Sequence, residues 1–183
     1  EDMLSVEQAY QRIMARFQTL DAEEKPLLDC IGQVLSEDIK SPLALPPLAN
    51  SGMDGYALRH SDIVGASHEN PKNLEVIGII AAGHMPDRTV VPGTAIRIMT
   101  GAPIPLGADA VVKVENTTSV DLSSVCIETS GVLAGTHILS QATSLRCGGI
   151  ILRRGTRIRP IEIGILAEIG RALVTVRPRP QVA

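Results

Sequence analysis

Two stretches of this 183-residue sequence hold side chains suited to chemistry. The first is Asn50-Ser-Gly-Met-Asp-Gly-Tyr-Ala57. Asp-Gly between apolar flanks is a hairpin-turn signature, because both central residues tolerate positive φ. Two readings stand open for Asp54. Either it only builds the turn, or it is a carboxylate at a rigid loop tip, beside Asn50 and Ser51, where it can coordinate a cation or orient water. The second stretch is Met99-Thr-Gly-Ala-Pro-Ile-Pro-Leu-Gly-Ala-Asp109. Thr100 supplies a hydroxyl, and Gly101 lets a backbone N–H come close to a ligand. Pro103 and Pro105 stiffen the loop, so it is either a structural turn or a preset cradle for a small anion such as phosphate. The lysine of a P-loop is missing.

Other chemistry is poorly provided for. His60, His68, His84 and His137 are dispersed and lack metal-ligand spacing. No serine stands in a nucleophile elbow, and no cysteine has a recognisable nucleophile context. Glu115 is either a site carboxylate or a solvated strand end. Cys30, Cys126 and Cys147, odd in number and without a CxxC pair, fit a reducing compartment and make the cytoplasm the expected location.

Composition narrows the partners. A formal net charge of −3 and only three aromatic residues, Tyr10, Phe17 and Tyr56, argue against a nucleic-acid binder. Runs without a polar residue, such as Val76 to Gly83, are all far too short to span a membrane, and no secretory leader is expected. Residues 146–183 hold eight arginines against Glu162 and Glu168, so this tail is +6 and the rest of the chain −9. Those arginines either line an anion-binding face, decorate strands, or meet the acidic part across an interface.

The elements that must position the two stretches are mostly short strands. One helix opens at Ser5, with Ser5 and Gln8 at capping-box spacing. Val6, Ala9, Tyr10, Ile13, Met14 and Phe17 form its apolar stripe to about Leu20, and the expected role is packing. Pro26–Leu28 reads as a strand and Cys30–Leu35 as a helical turn or bend. Pro42 to Pro47 is an extended crossing at a domain junction. Strands are expected over Leu74–Ala82, Ala95–Met99, Ala110–Val114 and Val125–Glu128, with a brief helical stretch over Leu58–Ile63. Gly148–Arg159 reads as a hairpin turning near Arg154-Gly155. Pro160–Gly170 reads as a buried helix with proline in its first turn, and Leu173–Val176 as a last strand.

Taken in order, these segments resemble the first half of the MoeA family, which includes the carboxy-terminal part of gephyrin and its plant relatives. The resemblance rests on Pro46-Pro-Leu-Ala-Asn-Ser-Gly-Met-Asp-Gly-Tyr-Ala57, on Ala81-Ala-Gly83 with Met85-Pro86, and on the run from Pro92 through Met99-Thr-Gly-Ala-Pro103 to Val112. Glu115, Ile151-Leu152, Gly155-Thr156, Pro160, Ile163-Gly164, Gly170 and the Arg177-Pro-Arg179 exit continue it. It covers almost the whole chain. The resemblance implies a molybdopterin molybdenumtransferase, which takes adenylylated molybdopterin and molybdate, releases AMP and leaves molybdenum on the dithiolene, assisted by a divalent cation, usually Mg2+. It implies that Asp54 and Thr100 line the catalytic cleft, with Ser51 and Gly101 as substrate-binding neighbours; no metal ligand is assigned. It further implies a homodimer, and contact with the adenylyltransferase that acts upstream.

The fold this implies is α+β and β-rich, with bent sheets, a few helices and two lobes. Residues 1–41 with 138–183 form the first, dimerising lobe, and 42–137 the inserted second. A third domain with an STGDEL-like motif is expected beyond Ala183. The family's Gly-Glu-Asp-Ile motif is replaced here by Ser140-Gln141-Ala142-Thr143-Ser144-Leu145, which has no acid. That departure keeps an alternative in view, a non-catalytic MoeA-like scaffold or binding module of the gephyrin kind.

Overall fold

A computed structural model of the chain describes residues 3–121 and 123–181. Helix α1 (Val6–Met14) opens as its spacing predicts. Ser5 Oγ accepts the Gln8 N–H at 3.1 Å, and the Gln8 side chain accepts the Ser5 N–H at 3.0 Å. It ends at Met14, short of Leu20, because the next N–H groups turn back to Ile13 and Met14 in a tightened last turn. None of its residues is buried, and Val6 is 88% and Phe17 72% exposed. The stripe read as a packing face is thus left largely exposed by the described residues.

The strands follow in order: β1 (Glu23–Pro26), β2 (Val34–Leu35), β3 (Ile39–Lys40), β4 (Asn50–Ser51), β5 (Gly55–Leu58), β6 (Lys72–Ile80), β7 (Thr94–Ile98), β8 (Ala110–Lys113), β9 (Thr117–Asp121), β10 (Ser124–Ile127), β11 (Ile138–Leu139) and β12 (Ile150–Leu152). Helix α2 (Pro160–Glu168) and strand β13 (Leu173–Arg177) complete the chain. Single 3₁₀ turns occupy Leu27–Cys30, His60–Ile63 and Val114–Asn116, where the sequence reads as strand, helix and strand end in turn. The fold is mostly β, as expected.

The chain divides into two compact units, residues 1–42 with 148–183, and 43–147. In the first, β13 is the centre of a three-stranded antiparallel sheet between β1 and β2, and β12 pairs with β3. Leu35, Ile39, Ile158, Leu166, Val174 and Val176 are among its buried apolar side chains. The turn at Arg153–Thr156 forms, but its arms do not pair with each other. The Ile158 N–H donates to the Gln33 carbonyl, and the Leu35 N–H donates to that of Thr156. Pro160 starts α2, and Glu162 folds back to accept the Arg159 N–H at 2.9 Å and its guanidinium at 2.6 Å.

In the second unit six strands form one nearly closed sheet in the order β8-β5-β7-β6-β10-β9. Only β6 and β7 run parallel among its described strands. Both faces are apolar. Tyr56, Leu58, Leu74, Ala95, Val112, Val125 and Ile127 belong to one cluster, and Ala57, Ile80, Ile96, Ile98 and Val111 to the other. Strands buried on both faces show continuous apolar runs, which is how the sequence presents them.

The expected return at 137/138 falls instead at Cys147/Gly148. Ile138-Leu139 pairs with β4, and Leu45 bridges to Leu145, so backbone hydrogen bonds tie 138–147 to the second unit.

Candidate active site

Asp54 and Thr100 come together in the second unit. One carboxylate oxygen of Asp54, Oδ1, accepts both the Thr100 N–H at 2.6 Å and the Thr100 hydroxyl at 2.7 Å. Both residues are exposed. The Thr100 hydroxyl first, then its N–H, hold the Asp54 carboxyl below its ordinary value, and the charge of Arg97 acts in the same direction. Oδ2 accepts no hydrogen bond from any described residue. The pair is thus an ionised carboxylate with one oxygen fixed and one turned to solvent.

The supporting backbone shows why this happens. The segments 49–51 and 101–104 are zipped together: the Gly101 N–H donates to the Ser51 carbonyl at 2.8 Å, the Ser51 N–H to that of Ala102 at 2.9 Å, and the Ile104 N–H to that of Ala49 at 3.0 Å. Two expectations need correction here. The N–H groups of Thr100 and Gly101 are both taken by the 51–54 segment, so they are not free to cradle an anion. Ser51 is fully buried, and its hydroxyl donates to the Met53 carbonyl at 2.5 Å. From inside the protein it positions the turn. Gly101 stays exposed at φ 80°, a left-handed conformation that glycine adopts without strain.

Asp54-Gly55 is not a hairpin turn. β4 pairs with β11, whereas β5 lies between β7 and β8. Gly55 is needed for another reason: a Cβ there would sit 2.0 Å from the Val112 carbonyl oxygen. Neither Asp54 nor Gly55 has positive φ.

Sequence reading passed over Arg97. It faces Tyr56 across β5 and β7, with its guanidinium carbon 5.1 Å from the ring centroid, a cation–π distance. The available signal was a single cation inside an apolar strand, Ala95-Ile-Arg-Ile98. Asp109, the last residue of the Thr100 stretch, serves as a clamp. Its two oxygens meet the His60 N–H and ring nitrogen, each at 2.6 Å. Burial pushes the Asp109 carboxyl up, but the two His60 contacts outweigh it and leave it below the ordinary value. Glu115 is exposed in the turn after β8.

A family model described as the MoeA N-terminal region, domain I and II, matches residues 4–170. The chain belongs to the MoeA N-terminal family. It is 41% identical over 157 residues to molybdopterin molybdenumtransferase 2 of Mycobacterium tuberculosis, covering 86% of this chain and 38% of that protein. Against molybdopterin molybdenumtransferase of Staphylococcus epidermidis it is 37% identical over 180 residues, covering 98% of this chain and 42% of that protein. The crystal structure of the molybdopterin biosynthesis moeA protein from Pyrococcus horikoshii OT3 superposes with a TM-score of 0.82 at 34% identity, over 87% of this chain and 42% of that chain. This MoeA N-terminal region thus spans about two fifths of the length of the relatives it matches. The Asp54–Thr100 pair lies inside the matched residues. Among the described residues no three His, Cys, Asp or Glu side chains are grouped to hold a metal ion, and no helix is long and apolar enough to cross a membrane.

Proposed function

We propose that this chain is the amino-terminal part of a molybdopterin molybdenumtransferase that inserts molybdate into adenylylated molybdopterin with release of AMP. Asp54 and Thr100 are its contribution to the cleft. The observation that carries this reading is the exposed, doubly hydrogen-bonded carboxylate of Asp54. A carboxyl held low is a weak base near neutral pH, so its charge, not proton abstraction, is what it offers. Oδ2 can orient water toward the pyrophosphate link or hold a cation, and Thr100 fixes the direction in which it points.

A Mg2+ ion fits this site only in part. Such an ion takes one or two carboxylates, substrate oxygens and waters, and Asp54 would supply one of them. When bound, the ion neutralises charge that builds on phosphate oxygens. The remaining ligands would come from substrate and from the rest of the full-length protein.

The exposed α1 stripe, Val6, Tyr10, Ile13 and Phe17, supports a homodimer in which a second copy covers it. Three free cysteines, Cys30, Cys126 and Cys147, support a cytoplasmic home. An upstream adenylyltransferase is the natural supplier of the adenylylated substrate. The acid-free segment Ser140–Leu145 favours the second reading, a scaffold without turnover.

The test is Asp54→Asn in the full-length protein, which keeps a hydrogen-bond acceptor and removes the charge. AMP release should fall by about 10²–10³-fold with the fold unchanged. Wild-type rates in the variant would refute the role given to Asp54. A wild-type full-length protein that turns over nothing would favour the scaffold.

A further inference from the structure

Beside the Asp54–Thr100 turn, within the second unit, lies a groove of about 620 Å³ that the reading above leaves unused. Small-molecule sites run to roughly 300–1,000 Å³. The local sequence builds it. β6 carries one residue more than β7 between Val76 and Ile79, and such a bulge bends the strand. The bend leaves Ile79 level with Arg97 but 66% exposed. Tyr56 and Arg97 form the other side, and Val76 and Val114 complete an aliphatic wall. Arg97 is the one charged residue in this lining, and it forms no ion pair with a described residue. Among the described residues its guanidinium stacks on the Tyr56 ring and feels the Asp54 charge without hydrogen-bonding to it, so its donors are left for a ligand.

We propose that this groove takes a flat heterocycle bearing a phosphate group, with the ring against Val76, Ile79 and Val114 and the phosphate oxygens on Arg97. An apolar wall and one unpaired planar cation match a ligand that is aromatic at one end and anionic at the other. The identity of the occupant rests on the function proposed above, because adenylylated molybdopterin has two such halves, a pterin phosphate and adenosine monophosphate.

Calorimetric titration of the 183-residue chain separates them. The probes are AMP, adenosine, inorganic phosphate and a pterin with a side-chain phosphate. At least one heterocyclic phosphate should bind one to one, about tenfold or more tighter than adenosine or phosphate alone. Arg97→Gln should weaken it by about 10–100-fold, while adenosine binding is unchanged. Ile79→Asp alters an exposed wall position, places a carboxylate opposite Arg97, and should abolish binding with the melting temperature kept. If neither heterocyclic phosphate binds, or if both variants bind as the wild type does, the groove is not this site. That failure is separable from failure of the proposed activity, because binding here needs no turnover and Asp54→Asn is assayed by AMP release.

Discussion

The Asp54 carboxyl is held below its ordinary value chiefly by a single neighbour that donates twice to one oxygen. The consequence is testable at Thr100. Thr100→Val removes the hydroxyl, the largest cause of the lowered carboxyl, and keeps the backbone donor. The Asp54 carboxyl should rise toward its ordinary value in a carboxyl-detected NMR titration; no rise would mean the hydroxyl does not hold it. The sign follows from linkage. A carboxyl lowered in the folded state adds stability above its unfolded value, and loses it as pH falls through the folded value. The variant should lose that contribution at a higher pH than the wild type. The glycine next to it makes a second prediction. Gly55→Ala drives a methyl carbon into the Val112 carbonyl, backbone that β8 keeps in register through its pairing with β5. Urea unfolding should show a loss of at least about 2–3 kcal/mol. The sequence pointed to both neighbours correctly as residues worth attention, yet gave Gly55 the wrong reason. Close approach of a third strand leaves no trace in a dipeptide, and a turn does. The burial of Ser51 is equally hidden in the sequence, where a hydroxyl near a carboxylate reads as a ligand contact.

The elements show where periodicity suffices. α1, α2, β6, β7, β8 and β13 were legible, because their apolar spacing or capping residues are local facts. β5 was missed: Gly-Tyr-Ala-Leu is four residues long, apolar on both faces, and buried by neighbours remote in sequence. β9, Thr117–Asp121, is polar and offered no run to find. Arg97 became meaningful only through register, since its pairing with Tyr56 and its level with Ile79 depend on a bulge that spacing does not reveal. The start of α2 gives the prediction at this scale. Hydrogen bonding to the Arg159 side chain, aided by the Arg159 N–H, outweighs burial and lowers the Glu162 carboxyl to about 2. The stability it adds is complete above its unfolded value near 4.5 and fades as pH falls toward 2. Glu162→Gln should therefore lower the urea midpoint at pH 7, and the gap should close near pH 2. An equal gap at both pH values would assign the effect to shape, not charge.

At the scale of the molecule, the arrangement of the chain carries its own consequence. The second unit begins and ends at one place: the Leu45 N–H donates to the Leu145 carbonyl at 2.9 Å, and the Leu145 N–H returns to Leu45 at 3.1 Å. The first unit closes in the same manner, with the Ser41 N–H on the Gly149 carbonyl and the Gly148 N–H on that of Ser41. An insertion whose ends are clasped can be lifted out without opening its sheet, and both of its apolar clusters lie within its own boundaries. Its size is in the range that folds alone. Residues 43–147 expressed alone should therefore unfold in one cooperative urea transition. They should also keep the Asp54–Thr100 hydrogen bond, seen as a carboxyl still titrating below its ordinary value. An excised unit with native-like circular dichroism but no cooperative transition would show that its core needs the other unit, and the clasp at Leu45 and Leu145 would then be a seam instead of a boundary.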